Sequence, residues 1–196
     1  MTLEGKRIGF AMTGSFCTFE RAFETARSLR ELGADLTPIM SFNAAGLSTR
    51  FGTAAEHRER IELITSHRVI ETIEDAEPIG PKKLFDLLIV EPCTANTIAK
   101  LALGIYDTPV TMAVKSHIRN GRPVLVAVST NDALAACAKN IGALQNSRCY
   151  YFVPYRQDSF EKKPNSVVAD FSMTAAAAEA ALEGRQLQPL LLGAEA

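Results

Sequence analysis

The sequence has no Cys-x-x-Cys pair, and none of its three histidines, His57, His67 and His117, stands at ligand spacing from its four cysteines, Cys17, Cys93, Cys137 and Cys149. A structural zinc or a disulfide framework is therefore not expected, and the cysteines read mostly as small buried apolar residues. No histidine is placed beside a serine or cysteine as a nucleophile's base. Net charge is only −1, with Lys and Arg scattered rather than banked into a stripe, which argues against a nucleic-acid or anionic-membrane surface. No stretch approaches about 18 apolar residues, and Met1 to Arg7 leads into a strand without an apolar signal core. On these grounds the chain is read as cytoplasmic. It also lacks internal repeats, low-complexity linkers and a Walker lysine.

What is present fits one globular domain over 1–196: 196 residues with 47% hydrophobic and 22% charged content can bury a sizeable core. Apolar runs at Arg7 to Met12, Asp35 to Met40, Leu84 to Val90, Pro123 to Val128 and Cys149 to Val153 read as strands, the more continuous ones buried on both faces. Between them come helical patterns. The first carries the stripe Phe19, Ala22, Phe23, Ala26 and Leu29 and ends at Gly33. Others cover 53–66, Thr94 to Leu103 closed by Gly104, Asp107 to Asn120 with Pro109 near its start, Asp132 to Leu144, and an alanine-rich Ser166 to Leu182 stopping at Gly184. Residues 68–83 read as irregular, 154–165 as a polar loop over the site, and the tail from Gln186 as loosely held. The alternation predicts an α/β doubly wound, Rossmann-like (flavodoxin-like) three-layer sandwich with a parallel sheet, its core spanning about 6–155.

Four strand ends exit into small polar groups on what is then one sheet edge: Thr13-Gly14-Ser15, Ser41-Phe42-Asn43, Cys93-Thr94-Ala95-Asn96-Thr97 and Ser129-Thr130-Asn131. One such exit is an ordinary helix cap. Four together point to a phosphate-bearing small molecule at the crevice where open α/β sheets bind ligands. A dinucleotide fingerprint is missing, since Gly9 lies inside the first strand and no third glycine follows. A mononucleotide such as FMN suits the pattern better.

The Thr13-Gly14-Ser15 turn, the run Pro92-Cys93-Thr94-Ala95-Asn96-Thr97-Ile98-Ala99-Lys100, the following Gly104 and Asp107, and Asn131 resemble the flavoprotein family of homo-oligomeric flavin-containing cysteine decarboxylases. Phosphopantothenoylcysteine decarboxylases, lantibiotic decarboxylases and flavin prenyltransferases belong to that family. The resemblance implies FMN, with Thr13, Gly14, Ser15 and Ser41 on the phosphate, Pro92, Cys93, Thr94, Ala95, Asn96 and Thr97 lining the isoalloxazine, and Ser129 and Thr130 beside them. Asn131 and Asn96 are the implied catalytic residues. Two departures stand out: Pro78 occupies the position of the decarboxylases' histidine, and Val128-Ser129-Thr130-Asn131 replaces their Pro-x-Met-Asn.

A closer likeness runs nearly end to end. Lys6-Arg7-Ile8-Gly9-Phe10, Thr49-Arg50-Phe51-Gly52, Ile118 to Pro123, Ser129 to Leu134 and Lys162-Lys163-Pro164-Asn165-Ser166 are similar to a branch of spore-forming bacteria. That branch implies oxidation of dihydrodipicolinate to dipicolinic acid during sporulation, in the mother-cell cytoplasm. A partner polypeptide, the A subunit of the same enzyme, with a nicotinamide-binding fold, would bring NAD(P). A homo-oligomer, trimeric or larger, is also implied. For the dicarboxylate substrate, Arg50, Arg119 and Arg156 are the candidate clamps, because guanidinium matches a carboxylate bidentately. The redox chemistry would belong to the cofactor, with the protein orienting the ring. Two other readings stand beside this one: a flavin-dependent decarboxylase or prenyltransferase, and a non-catalytic FMN- or phosphate-binding partner of the A subunit.

Overall fold

The computed structural model describes residues 3–193. Its first strand, β1 (Arg7–Met12), is buried from Ile8 onward, as its apolar run requires of a strand covered on both faces. A 3-10 turn (Phe16–Thr18) leads into α1 (Phe19–Glu31), which buries the expected stripe. Next come β2 (Asp35–Met40), a short α2 (Phe42–Gly46), α3 (Ala54–Thr65) and α4 (Ile73–Ala76). They are followed by β3 (Leu87–Cys93), α5 (Ala95–Leu103), α6 (Pro109–Ile118), β4 (Val124–Thr130) and α7 (Ala138–Gln145). The chain closes with β5 (Tyr150–Phe152), β6 (Tyr155–Gln157), β7 (Val167–Ala169) and α8 (Thr174–Leu182).

β2, β1, β3, β4 and β5 lie side by side in that order, all parallel. This is a doubly wound, flavodoxin-like sheet. α1 packs with α3 and α8, and α6 packs with α4 and α5, which also meets α7. Gly9 is required inside β1, because a Cβ there would come within 2.5 Å of Leu88 Cδ1 and 2.7 Å of the Phe85 ring. No described helix is long and apolar enough to cross a membrane.

Several boundaries differ from expectation. β3 begins and ends three residues later than the apolar run Leu84 to Val90 suggests. Leu84 is still in a turn, its amide donating to the Ile79 carbonyl at 3.1 Å, and pairing with β1 starts at Leu87. At the other end, Glu91, Pro92 and Cys93 read as an exit but stay in the strand, fully buried. The sheet is also not wholly parallel. Residues 154–165 and the expected start of the last helix instead supply β6 and β7, an antiparallel pair. β7 joins β4 through Ser129↔Val168 and Thr130↔Val167, beyond the part of β4 that pairs with β5. The alternating burial of Val167, Val168 and Ala169 gives the reason: period two beats alanine's helical preference there.

Smaller differences follow the same logic. The expected Ser41 loop holds α2, capped by Ser41. Residues 68–83 contain α4 and a 3-10 turn with Pro78. The helix expected from Asp132 begins only at Ala138. The tail is tied down as far as Leu192: the Gln186 carboxamide bonds both backbone groups of Phe152, and the Leu192 amide donates to the Tyr155 carbonyl. Residues 1–2 and 194–196, at the ends of the expected leader and tail, lie outside the described residues.

Candidate functional site

The parallel register brings Thr13, Ser41, Thr94 and Ser129 to one edge of the sheet, since Met12 pairs with Met40 and Cys93 with Val128. Hydrogen bonds link Thr13 to Thr94 and Ser129 to Ser15 there. Thr13 Oγ1 donates to the Pro92 carbonyl at 2.7 Å and accepts from the Thr94 amide at 3.0 Å. Ser15 and Ser129 hydroxyls are 2.8 Å apart. Behind the turn, Phe16 packs with Phe19 and with His57, whose buried Nε2 has no partner among the described residues and whose pKa burial pushes down.

Two clefts, of about 580 and 400 Å³, meet at Gly14, Thr94 and Asn96. The larger is also bordered by Ser15, Cys17, Ala95, Ser129, Thr130 and Asn131. The smaller is bordered by Thr13, Ser41, Asn43, Thr97 and the Lys100–Asp107 ion pair of 2.6 Å, in which Lys100 holds the Asp107 carboxyl below its usual range. At Gly14 a Cβ would meet nothing closer than 3.6 Å, so the protein's own packing does not demand glycine there.

The donor set can be tested against a flavin mononucleotide. Among the helices that start at these clefts, α2 is capped by Ser41, which accepts from the Ala44 amide at 3.3 Å. α5 has no side-chain cap. Its Thr94 hydroxyl turns to Thr97 Oγ1 at 3.3 Å instead, leaving first-turn amides that no intrahelical acceptor can satisfy. Asn96 is exposed and its carboxamide makes no hydrogen bond among the described residues. Free amides, hydroxyls and carboxamides around a roomy crevice fit a phosphate and the carbonyl-rich edge of a heteroaromatic ring.

The remaining expected residues divide. Pro92 and Cys93 are buried in β3 and border neither cleft. Pro92 contributes only its carbonyl, and burial pushes the Cys93 thiol far up. Both were expected to line the isoalloxazine; they lie behind the clefts because the strand continues through them. Asn131 borders the larger cleft and accepts from Ser166 at 3.1 Å. Arg50 lies in the turn before α3, stacked on Phe51, outside both clefts. Arg119 caps the end of α6, just before β4 starts, so it sits at the opposite edge of the sheet. Pro78 sits beside α6, where Ser116 Oγ donates to the Glu77 carbonyl at 2.9 Å, and borders neither cleft.

Arg156 does approach the site. It borders a third cleft of about 500 Å³, which adjoins the larger one at Arg21, Asp158 and Val168, and it pairs with Asp170 at 2.8 Å. Arg21 and Glu91 carry no signal of their own in the sequence, and Lys163 only its place in the Lys162 to Ser166 likeness. Lys163 borders the larger cleft and pairs with Asp158 at 2.9 Å, which raises the lysine and lowers the aspartate. Glu91 lies beneath the exit of β3. Burial pushes its carboxyl up to about 7, against the hydrogen bond from Thr174 Oγ1 at 2.7 Å and weaker pulls from Thr25 and Arg21. Its Oε1 has no partner among the described residues. No group of His, Cys, Asp and Glu among the described residues could hold a metal ion.

Known proteins match nearly the whole chain. The Flavoprotein family model covers residues 1–179. The chain is 44% identical over 191 residues to the B subunit of dipicolinate synthase from Bacillus subtilis (strain 168), an overlap of 97% of this chain and 96% of that protein. The crystal structure of the dipicolinate synthase B subunit from Bacillus halodurans C superposes with a TM-score of 0.90 at 39% identity, over 98% of this chain and 99% of that one. The FMN-dependent cysteine decarboxylase SpaF shares the fold, with a TM-score of 0.68 at 23% identity over 91% and 98% of the two chains.

Proposed function

Because the chain belongs to the Flavoprotein family, we propose that it serves as the B subunit of a dipicolinate synthase, acting with the enzyme's A subunit in the oxidation of dihydrodipicolinate to dipicolinic acid. The observation that carries this reading is the end-to-end likeness to the B. subtilis protein. It takes in the β6–β7 hairpin as well as the parallel core, which supports the same reading for the hairpin side of the cleft.

FMN is the proposed cofactor. Gly14, Ser15, Ser41 and the free amides of α5 would hold its phosphate, while Thr94, Ala95, Asn96, Thr97, Ser129, Thr130 and Asn131 would face its ring. Thr13 supports them from behind, since its hydroxyl is committed to Pro92 and Thr94. When bound, FMN supplies a two-electron acceptor; NAD(P) would enter through the A subunit. The chain's own residues bind and orient. Asn131 and Asn96 would place carboxamides beside the ring, and Arg156, on the hairpin and paired with Asp170, borders the third cleft. The loop joining β6 to β7 borders the larger cleft through Asp158 and Lys163. Aromatisation of a dihydropyridine removes the equivalent of a hydride and a proton and is downhill, so positioning is the main demand on the protein.

The test is a flavin absorbance titration of the purified protein together with turnover assays of the A and B subunits, separately and combined. Uptake of FMN, and a rate that needs both polypeptides, is the expected result. A protein that takes up no FMN and adds nothing to the rate of the A subunit overturns the proposal.

A further inference from the structure

We propose that Arg21 is the carboxylate anchor of this site, receiving one carboxylate of a planar pyridine dicarboxylate at the junction of its clefts. The inference rests on the dicarboxylate-oxidising reading above and names the residue that recognises the substrate.

Arg21 lies in the first turn of α1, directly after the strand exit at Ser15. Its side chain borders the large cleft together with Ser15, Asn96 and Asn131, and borders the adjoining 500 Å³ cleft together with Arg156 and Asp170. It is the cation common to both.

The charges around it are unequally matched. Lys163 is paired with Asp158 at 2.9 Å, and Arg156 with Asp170 at 2.8 Å. Among the described residues Arg21 has no carboxylate within ion-pair distance. Its one hydrogen bond runs from Nη2 to the Ala169 carbonyl at 3.3 Å, and its guanidinium carbon lies 4.8 Å from the centre of the Phe171 ring. Those two contacts fix the plane of the guanidinium while leaving most of its five N–H donors uncommitted. A planar fork held in place at the mouth of a crevice, with no carboxylate paired to it directly and only a weak longer-range pull on the buried Glu91, is the arrangement that favours a carboxylate, since little rotamer entropy remains to be lost on binding. The Ser15 and Asn96 walls are those assigned above to FMN, which leaves the Arg21 side of the cleft for the substrate carboxylate.

The experiment measures calorimetric binding of dipicolinate and of picolinate, which lacks one carboxylate, to the FMN-supplemented protein. Wild type, Arg21→Gln, Arg21→Lys and Arg27→Gln are compared; Arg27 is exposed on the same helix and borders neither cleft. Arg21→Gln is expected to weaken dipicolinate binding by about tenfold or more, the scale of a lost charged hydrogen bond, and to bring it near the picolinate value. Arg21→Lys should fall between, Arg27→Gln should match wild type, and FMN uptake should stay constant throughout. Equal dipicolinate affinity in wild type and Arg21→Gln overturns the anchor and leaves the dipicolinate synthase reading standing. No dipicolinate binding by wild type, with no contribution to turnover beside the A subunit, removes both.

Discussion

Ser15 and Ser129, 114 positions apart in the chain, share a hydrogen bond of 2.8 Å between their hydroxyls. The bond ties the turn after β1 to the last rungs of β4 and so sets the width of the larger cleft. It also orients the Ser15 hydroxyl, one of the groups proposed to meet the FMN phosphate.

Ser129→Ala is expected to release that hydroxyl. Stability should fall by ~1 kcal/mol, the usual net worth of one such bond, and FMN affinity by about fivefold. Fluorescence titration and urea denaturation read the two effects. Unchanged FMN affinity would separate the Ser15–Ser129 contact from the ligand.

Thr13→Val keeps the shape of the side chain and removes two bonds at once, to the Pro92 carbonyl and from the Thr94 amide. The carbonyl keeps only the Thr13 amide, at 3.2 Å. A loss of ~2 kcal/mol or more is expected, with faster hydrogen exchange at Thr94 and partial recovery in Thr13→Ser. A Thr94 amide that exchanges at the wild-type rate in the valine variant would contradict the staple.

Glu91 gives the fold a pH signature. Its carboxyl is raised from the ordinary 4.5 to about 7, so between those values the native state holds a proton that the unfolded chain has released. Stability therefore falls as pH rises through this window and levels off above it. Glu91→Gln, which carries no proton to lose, should gain up to ~3 kcal/mol over wild type near pH 8 and almost nothing near pH 4. Denaturation midpoints across that range check it; parallel curves for the two proteins would sink the assignment.

Gly80→Ala meets backbone rather than a movable side chain, because the added Cβ would lie 2.2 Å from the Ser116 carbonyl oxygen. α6 must then shift away from the 3-10 turn that precedes β3. We expect a loss of about 2 kcal/mol or more, read by thermal or chemical unfolding, and a variant as stable as wild type would show that the contact is slack.

The parallel core was legible because its strands are continuous apolar runs and its helices carry a clean 3.6 period, as in α1. Two of the four polar exits, at Thr13 and Ser41, were legible for the same reason, since each directly follows such a run. Ser129 and Thr130, expected beyond the fourth strand, instead stay in β4 as rungs with β7. Pro92 and Cys93 were misplaced because a proline and a small polar-looking residue resemble a strand end, whereas only pairing with β4 reveals that the strand continues. Arg119 lies at the other edge from the clefts, which was not legible because sequence marks a loop without saying at which edge of the sheet it falls. Arg21 sits between Phe19 and Phe23 on the outward side of a helix, where an arginine looks like ordinary solvated surface. Its importance depends on Ala169, 148 positions away, which no local pattern announces. The hairpin was hidden in the same way: β6 and β7 are three residues each, and the alanines that follow dominate the helical signal.

β4 changes partners along its length, parallel to β5 at Val124 to Val126 and antiparallel to β7 at Ser129 and Thr130. The hairpin thus hangs on two rungs at the end of a strand whose other half is locked into the core. Mutations beyond Phe152 can reshape what sits over the cleft while the nucleotide-type cradle beneath stays intact. Such an attachment makes the hairpin a replaceable part, open to revision without disturbing the parallel core.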